Sequence, residues 1–243
     1  MPADRPGASP VAQDALIPAT GLGLVYVPAV QVLYLPGFAT GPSSVKARAF
    51  IEHYGKRGVT VESLDLRRPS FEHLRLSAMI DHVRSAIHGK AVLIGSSLGG
   101  ITAARVAERD DRVQAIVLLA PAFRFVDRWR AQLGTEWDDW QRTGWREVYD
   151  YETGDSAKVD FGFMEDAMAI YAKLIDLKTP ALILHGRNDE TVSIEYSRTF
   201  ARDKPNVELV ELDDGHQLLA SIPALLSESD RFLAPFLAAE DRA

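Results

Sequence analysis

The sequence predicts a doubly wound α/β fold on a mostly parallel sheet, with one small insertion beside it. Six short apolar runs, at 30–35, 59–66, 91–94, 115–120, 181–184 and 207–212, have the length and unbroken hydrophobicity of strands covered on both faces. Amphipathic helical patterns lie between them, and strand–helix alternation of this kind folds with right-handed crossovers. The length, 243 residues with 47% hydrophobic, suits one α/β domain of about 200–250 residues.

In chain order, residues 1–20 carry Pro2, Pro6, Pro10 and Pro18 among scattered charges and read as a mobile tail. They lack the apolar centre of a secretory signal, and 21–243 is left as a single domain. After the first run, Ala47, Phe50, Ile51 and Tyr54 follow the i, i+3, i+4, i+7 spacing of a helix with one buried face. Leu76, Met79, Ile80 and Val83, continued by Ile87, repeat it after the second run. The C-terminal helix shows it again with Leu225, Leu226, Phe232, Leu233, Phe236 and Leu237.

Residues 124–178 break the alternation, because two strands that a single helix would join are separated by a longer segment. It holds all four tryptophans, Trp129, Trp137, Trp140 and Trp145. Its middle reads as a hairpin, 145–151 and 157–161, around the turn signal Glu152-Thr153-Gly154-Asp155. A helix with Met164, Ala167, Met168 and Tyr171 on one face follows. Two readings stand: a decorated crossover whose aromatics pack on the sheet, and a small lid over a pocket.

Composition narrows the chemistry. With no cysteine, a thiol nucleophile, a Cys-ligated zinc, an iron–sulfur site and a redox CxxC are all excluded. The net charge of −7 argues against a general nucleic-acid surface, which needs clustered Lys and Arg. The longest apolar run, 115–123, is far short of the roughly 18 residues that span a bilayer. A cytoplasmic protein without a membrane or nucleic-acid partner is expected, as a monomer or homodimer.

The most informative segment is the run at 91–94 leading through Gly95-Ser96-Ser97-Leu98-Gly99 into a helix. A sharp strand-to-helix turn holds its nucleophile in strained backbone geometry, and side chains two residues to either side would collide. Gly95 and Gly99 meet that demand around Ser97, whereas Ser96 would put Ile94 and Leu98 at the crowded positions. A serine hydroxyl needs a base, and the base needs a partner that fixes its tautomer. His53, His73, His82 and His88 fall on helical patterns or their ends, and His185 at a strand end reads as structural. His216, in Asp213-Asp214-Gly215-His216, follows the last strand at the carboxyl edge of the sheet, where open α/β folds place ligands.

Asp189 occupies the corresponding loop one strand earlier, so Ser97, Asp189 and His216 follow the nucleophile–acid–histidine order of α/β-hydrolases. Asp213 and Asp214 compete for the acid role, but neighbours in a tight loop point apart. Oxyanion donors are expected from the backbone N–H of Leu98 and from that of Phe38 in Leu35-Pro36-Gly37-Phe38, since Pro36 has no N–H to give. Phe123, Phe125 and Trp129 are candidate substrate contacts, with core packing as the alternative. Arg67 and Arg68 read as surface residues, the alternative being contact with an acidic leaving group.

On Leu35-Pro36-Gly37-Phe38, Gly95-Ser96-Ser97-Leu98-Gly99-Gly100, His185-Gly186-Arg187-Asn188-Asp189 and Asp214-Gly215-His216, the chain resembles the α/β-hydrolase superfamily over nearly all its length after the tail. With Ser43-Ser44-Val45-Lys46-Ala47 and the short insertion, it resembles the small YqiA-type esterases and the related mitochondrial hydrolases that remove acyl groups from protein cysteines. Pro36 stands where many relatives carry His. The resemblance implies hydrolysis of a carboxylic ester or thioester of a small or acyl substrate, with no cofactor and no metal. A receptor or signalling partner on the same scaffold, retaining the triad without turnover, is the alternative.

Overall fold

The computed structural model describes residues 15–18, 24–27 and 30–238. Of the expected tail, 1–14 and 19–20 lie outside the described residues, while β1 (Ala15–Pro18) pairs antiparallel with β2 (Leu24–Val27). The central sheet holds β3 (Gln31–Leu35), β4 (Val61–Ser63), β5 (Ala91–Ser96), β6 (Val113–Leu119), β9 (Ala181–Gly186) and β10 (Val207–Leu212). These are the six apolar runs. Every neighbouring pair is parallel, in the order β10-β9-β6-β5-β3-β4.

Parallel pairing needs crossovers, and α1 (Val45–Gly55), α2 (Leu76–Ala86), α3 (Leu98–Ala107) and α7 (Ile194–Ala201) supply four of them, while α8 (Ile222–Leu237) follows the last strand. The period-two alternation of the strands divides the core between two faces. Leu33, Leu35, Leu93, Ile116, Leu118 and Ile183 pack on the side of Leu76, Met79, Ile80, Val83 and Ile101 from α2 and α3. Val32, Tyr34, Val92, Ile94, Val117, Leu119, Leu182 and Leu184 pack against Ala47, Phe50 and Tyr54 of α1 and Leu225 and Leu233 of α8. Burial on both faces contributes about 1.5–3 kcal/mol for each such aliphatic side chain, which makes the sheet a rigid base for its edge loops.

The insertion after β6 contains α4 (Phe125–Leu133), α5 (Thr135–Thr143), the hairpin β7 (Trp145–Asp150) with β8 (Asp155–Asp160), and α6 (Gly162–Tyr171). Its tryptophans divide by role. Trp137 and Trp140 are buried against Phe161, at ring distances of 5.2 and 5.5 Å, and extend the core on the α2 and α3 side of the sheet. The Trp140 indole N–H donates to the Val159 carbonyl at 3.0 Å, pinning α5 to the hairpin. Trp145 is exposed, and so is Met168 on the expected apolar face of α6. Arg105 of α3, buried, anchors the far end of the insertion by donating to the carbonyls of Ile170 and Lys173.

Candidate active site

The central sheet begins at β3, runs outward to the edge strand β4, and then returns past β3 to β5 and onward. The loops leaving the carboxyl ends of β3 and β5 therefore diverge, and a crevice opens between them. Ser97 sits in that crevice at φ 50° and ψ −111°, between β5 and α3. A Cβ at Gly95 would stand 2.4 Å from the Gly99 carbonyl oxygen, and one at Gly99 would stand 2.1 Å from that of Leu35. Only glycine at both places lets β5, α3 and the end of β3 close around the turn. The strained turn is held by its backbone: the Ser97 N–H donates to Leu119 at 2.9 Å, and its carbonyl accepts from Gly100 and Ala122 at 3.0 Å each. Four non-glycine residues at left-handed φ lie at this edge: Ala39, Ser97, Ala120 and Leu218. Such strain concentrates where neighbouring structure over-determines the backbone.

Ser97 Oγ lies 3.1 Å from His216 Nε2, and His216 Nδ1 lies 2.8 Å from Asp189 Oδ2. His216 is 119 positions from Ser97 and 27 from Asp189, yet the three meet at one sheet edge, because β9 and β10 each end in a loop aimed at it. A Cβ at Gly186 would fall 2.2 Å from the Asp214 carbonyl oxygen, so the bare backbone there lets the acid and histidine loops touch. The Asn188 N–H then donates to that same carbonyl at 3.1 Å.

The Asp189 side chain is buried and accepts four hydrogen bonds. Oδ1 takes the N–H groups of Thr191 and Val192, and Oδ2 takes His216 Nδ1 and His185 Nε2. Burial pushes this carboxyl up, but the hydrogen bonds from His185, His216 and Val192 outweigh it and hold the group far below the ordinary carboxylate range. An ionised acid can only accept, so His216 carries its proton on Nδ1 and leaves Nε2 to take one from Ser97. The competing acids are engaged elsewhere: Asp214 caps the N–H groups of Gly215 and Ser221, and Asp213 accepts from Asn188 Nδ2.

The β3–α1 loop lies against the serine, since a Cβ on Gly37 would stand 3.4 Å from Ser97 Cβ. Among the described residues, no acceptor is recorded for the N–H of Phe38 or of Leu98. The Phe38 ring meets Trp129 edge-on at 5.0 Å and stacks on Phe163 at 6.1 Å. Phe125 joins the same cluster through Trp129 and Phe163, whereas Phe123 turns away and stacks on Phe200 at 4.4 Å. The insertion is tied to this loop a second time: the Tyr151 N–H donates to the Ala39 carbonyl at 2.9 Å, and Ser43 Oγ donates to Glu152. Arg67 is committed to Asp65, and Arg68 lies beside His82. Among the described residues no group of three or more His, Asp or Glu side chains is arranged to hold a metal ion, and no helix is long and apolar enough to cross a membrane.

The family comparison matches residues 31–227, from the first central strand into α8, to an uncharacterised protein family. The chain belongs to UPF0227. No curated protein matches it. Solved structures similar to this UPF0227 chain include mouse alpha/beta hydrolase domain-containing protein 10, at 20% identity and TM-score 0.71, covering 93% of this chain and 100% of the other. Est1E from Butyrivibrio proteoclasticus with ferulic acid bound aligns at 20% identity and TM-score 0.69, covering 84% of this chain and 89% of the other. An esterase from Pyrococcus furiosus aligns at 18% identity and TM-score 0.64 over 93% of both chains. The fold is the α/β-hydrolase fold.

Three side chains at this UPF0227 site were not singled out as functional in the sequence. His185 is fully buried and shares Asp189 with His216 while its Nδ1 faces Ser197 Oγ at 2.7 Å. Its i, i+4 spacing to Asp189 was the available signal. Lys46 donates to the Gln217 carbonyl at 2.7 Å, next to His216. Burial draws its pKa down to about 8, against the pull of Asp214 and Asp189. Arg128, on α4 beside Trp129, has no marker in the sequence at all.

Proposed function

We propose that the protein is a serine hydrolase of carboxylic esters or thioesters. The observation that carries this is the continuous Ser97–His216–Asp189 hydrogen-bonded line, with distances of 3.1 and 2.8 Å. Ser97 Oγ attacks the substrate carbonyl carbon as His216 Nε2 takes its proton, and Asp189 holds the imidazolium that forms. The oxyanion accepts the N–H groups of Leu98 and Phe38, each such donor being worth about 3–4 kcal/mol when tested by removal. His216 returns the proton to the leaving oxygen or sulfur. Water, deprotonated by the same imidazole, then attacks the acyl-Ser97 ester and releases the acid.

Residues 124–178 act in this proposal as a lid on the single domain, with Phe125 and Trp129 in the wall of the acyl pocket. The contacts of Trp129 with Phe38 and of Tyr151 with Ala39 support that role. Two proteins that share the fold are in keeping with that reading: Est1E, with ferulic acid bound, and the Pyrococcus furiosus esterase. A chain-length series of acyl esters and acyl thioesters, run on wild type and Ser97→Ala together, tests the proposal. Repeated turnover that disappears in Ser97→Ala supports it; at most one slow turnover supports the receptor alternative.

A further inference from the structure

Arg128 is a cation without a counter-ion at the edge of the site. It lies on α4, next to Trp129 and within electrostatic reach of Asp189, Tyr171 and Tyr196. Its Nε is buried with no hydrogen-bond partner. Its one recorded side-chain bond runs from Nη1 to Gln132 Oε1 at 3.1 Å, and among the described residues no carboxylate pairs with it. Burial pulls its pKa down, partly offset by Asp189, Tyr196 and Tyr171. Nearby arginines differ: Arg124 is paired with Asp127, Arg198 with Glu195 and Glu211, and the fully buried Arg105 with Glu108.

A guanidinium that is partly stripped of water and left with open N–H donors attracts an anion more strongly than an exposed one does. Asp189 does not meet that need, because its four hydrogen-bonding positions are already filled. The buried Nε is out of a ligand's reach, whereas Nη2 makes no hydrogen bond among the described residues and is open to an acceptor. Next to it in sequence, Trp129 joins Phe38 and Phe163 in an aromatic cluster. Consecutive positions on α4 thus set a cation beside the aromatic cluster that reaches Phe38 of the β3–α1 loop. The planar fork of a guanidinium matches the two oxygens of a carboxylate in geometry.

Resting on the hydrolase proposal above, we infer that Arg128 binds a carboxylate carried by the substrate, so that the preferred esters are monoanionic. The carboxylate accepts from the open Nη–H donors while the ester carbonyl lies at Ser97. The test uses four esters: 4-nitrophenyl butyrate against mono-4-nitrophenyl glutarate, which puts the charge on the acyl group, and phenyl butyrate against 4-carboxyphenyl butyrate, which puts it on the leaving group. In wild type, kcat/KM for the charged member of one pair exceeds that for the neutral member by about 10-fold or more, the scale of a charge-assisted hydrogen bond. Arg128→Gln brings that ratio close to one, and Arg128→Lys restores part of it. Should Arg128→Gln fail to fold, competitive inhibition of wild type by free glutarate or 4-hydroxybenzoate, weakened by salt, is the second measurement. Ser97-dependent hydrolysis with no charged-over-neutral preference in either pair, or a preference unchanged in Arg128→Gln, overturns the inference and leaves the hydrolase proposal standing. No Ser97-dependent hydrolysis of any of the four ends both.

Discussion

His185 Nε2 stands 3.0 Å from Asp189 Oδ2, the same carboxylate oxygen that holds His216. The same nitrogen lies 2.9 Å from the Val192 carbonyl, so both of its neighbours are acceptors and it must carry a proton. Nδ1 is then the acceptor for Ser197 O–H. A second imidazole therefore fixes where the acid points without touching the serine.

His185 is accordingly a positioning residue. In His185→Gln we expect kcat to fall by about 10-fold or more with little change in KM, because a misaimed acid weakens the transition state rather than substrate binding. Stability should drop by about 1–3 kcal/mol for the polar groups left unpaired. Steady-state kinetics alongside urea unfolding separate the two effects; a loss of stability with kcat intact would assign His185 to the core alone.

The depressed acid gives a pH signature. A carboxyl whose folded pKa lies below its unfolded value of 3.8 stabilises the fold above that value, and the contribution is lost as pH falls below it. Wild type should lose more unfolding free energy between about pH 5 and pH 2 than Asp189→Asn, for which that slope is absent. Urea midpoints across this range measure it, and parallel curves for the two proteins would contradict the assignment.

Lys46 gives a slope of the same sign at the alkaline end. Its folded pKa of about 8 lies below the free value of 10.5, so the unfolded chain binds the extra proton and stability from this group rises as pH climbs between those values. Lys46→Met should flatten that rise. Thermal unfolding from pH 7 to pH 10.5 checks it, with an unchanged slope as the adverse result.

At the elbow, Gly99→Ala places a methyl group 2.1 Å from the Leu35 carbonyl oxygen. Backbone cannot yield there as a flexible side chain would, and we expect a loss of about 3 kcal/mol together with lost activity, both read from one purified variant. Wild-type stability and turnover in Gly99→Ala would mean that the turn does not need the close approach.

Much of this was legible in the sequence, for a physical reason: strands buried on both faces leave unbroken apolar runs, and all six runs are strands of the central sheet. The run at 59–66 contributes only Val61–Ser63 to the sheet, as β4 at one edge. Helices with sparse apolar faces left no such trace. The buried residues of α7 are Ile194 and Ser197, and those of α5 are Trp137 and Trp140. The positions of Ser97, Asp189 and His216 follow from counting strands. The tie from His185 to Asp189 and the open donors of Arg128 depend on side-chain directions that periodicity does not encode, and so does the turn of Phe123 toward Phe200.

The most direct measurement of the central claim is covalent labelling with a fluorophosphonate, followed by peptide mass spectrometry. Phosphonylation needs the activated oxygen nucleophile and the oxyanion donors but no knowledge of the substrate. The account predicts one phosphonyl group per chain, on Ser97, with labelling abolished in Ser97→Ala and slowed by several powers of ten in His216→Ala. Wild type left unlabelled, or Ser97→Ala labelled at the wild-type rate, would contradict it.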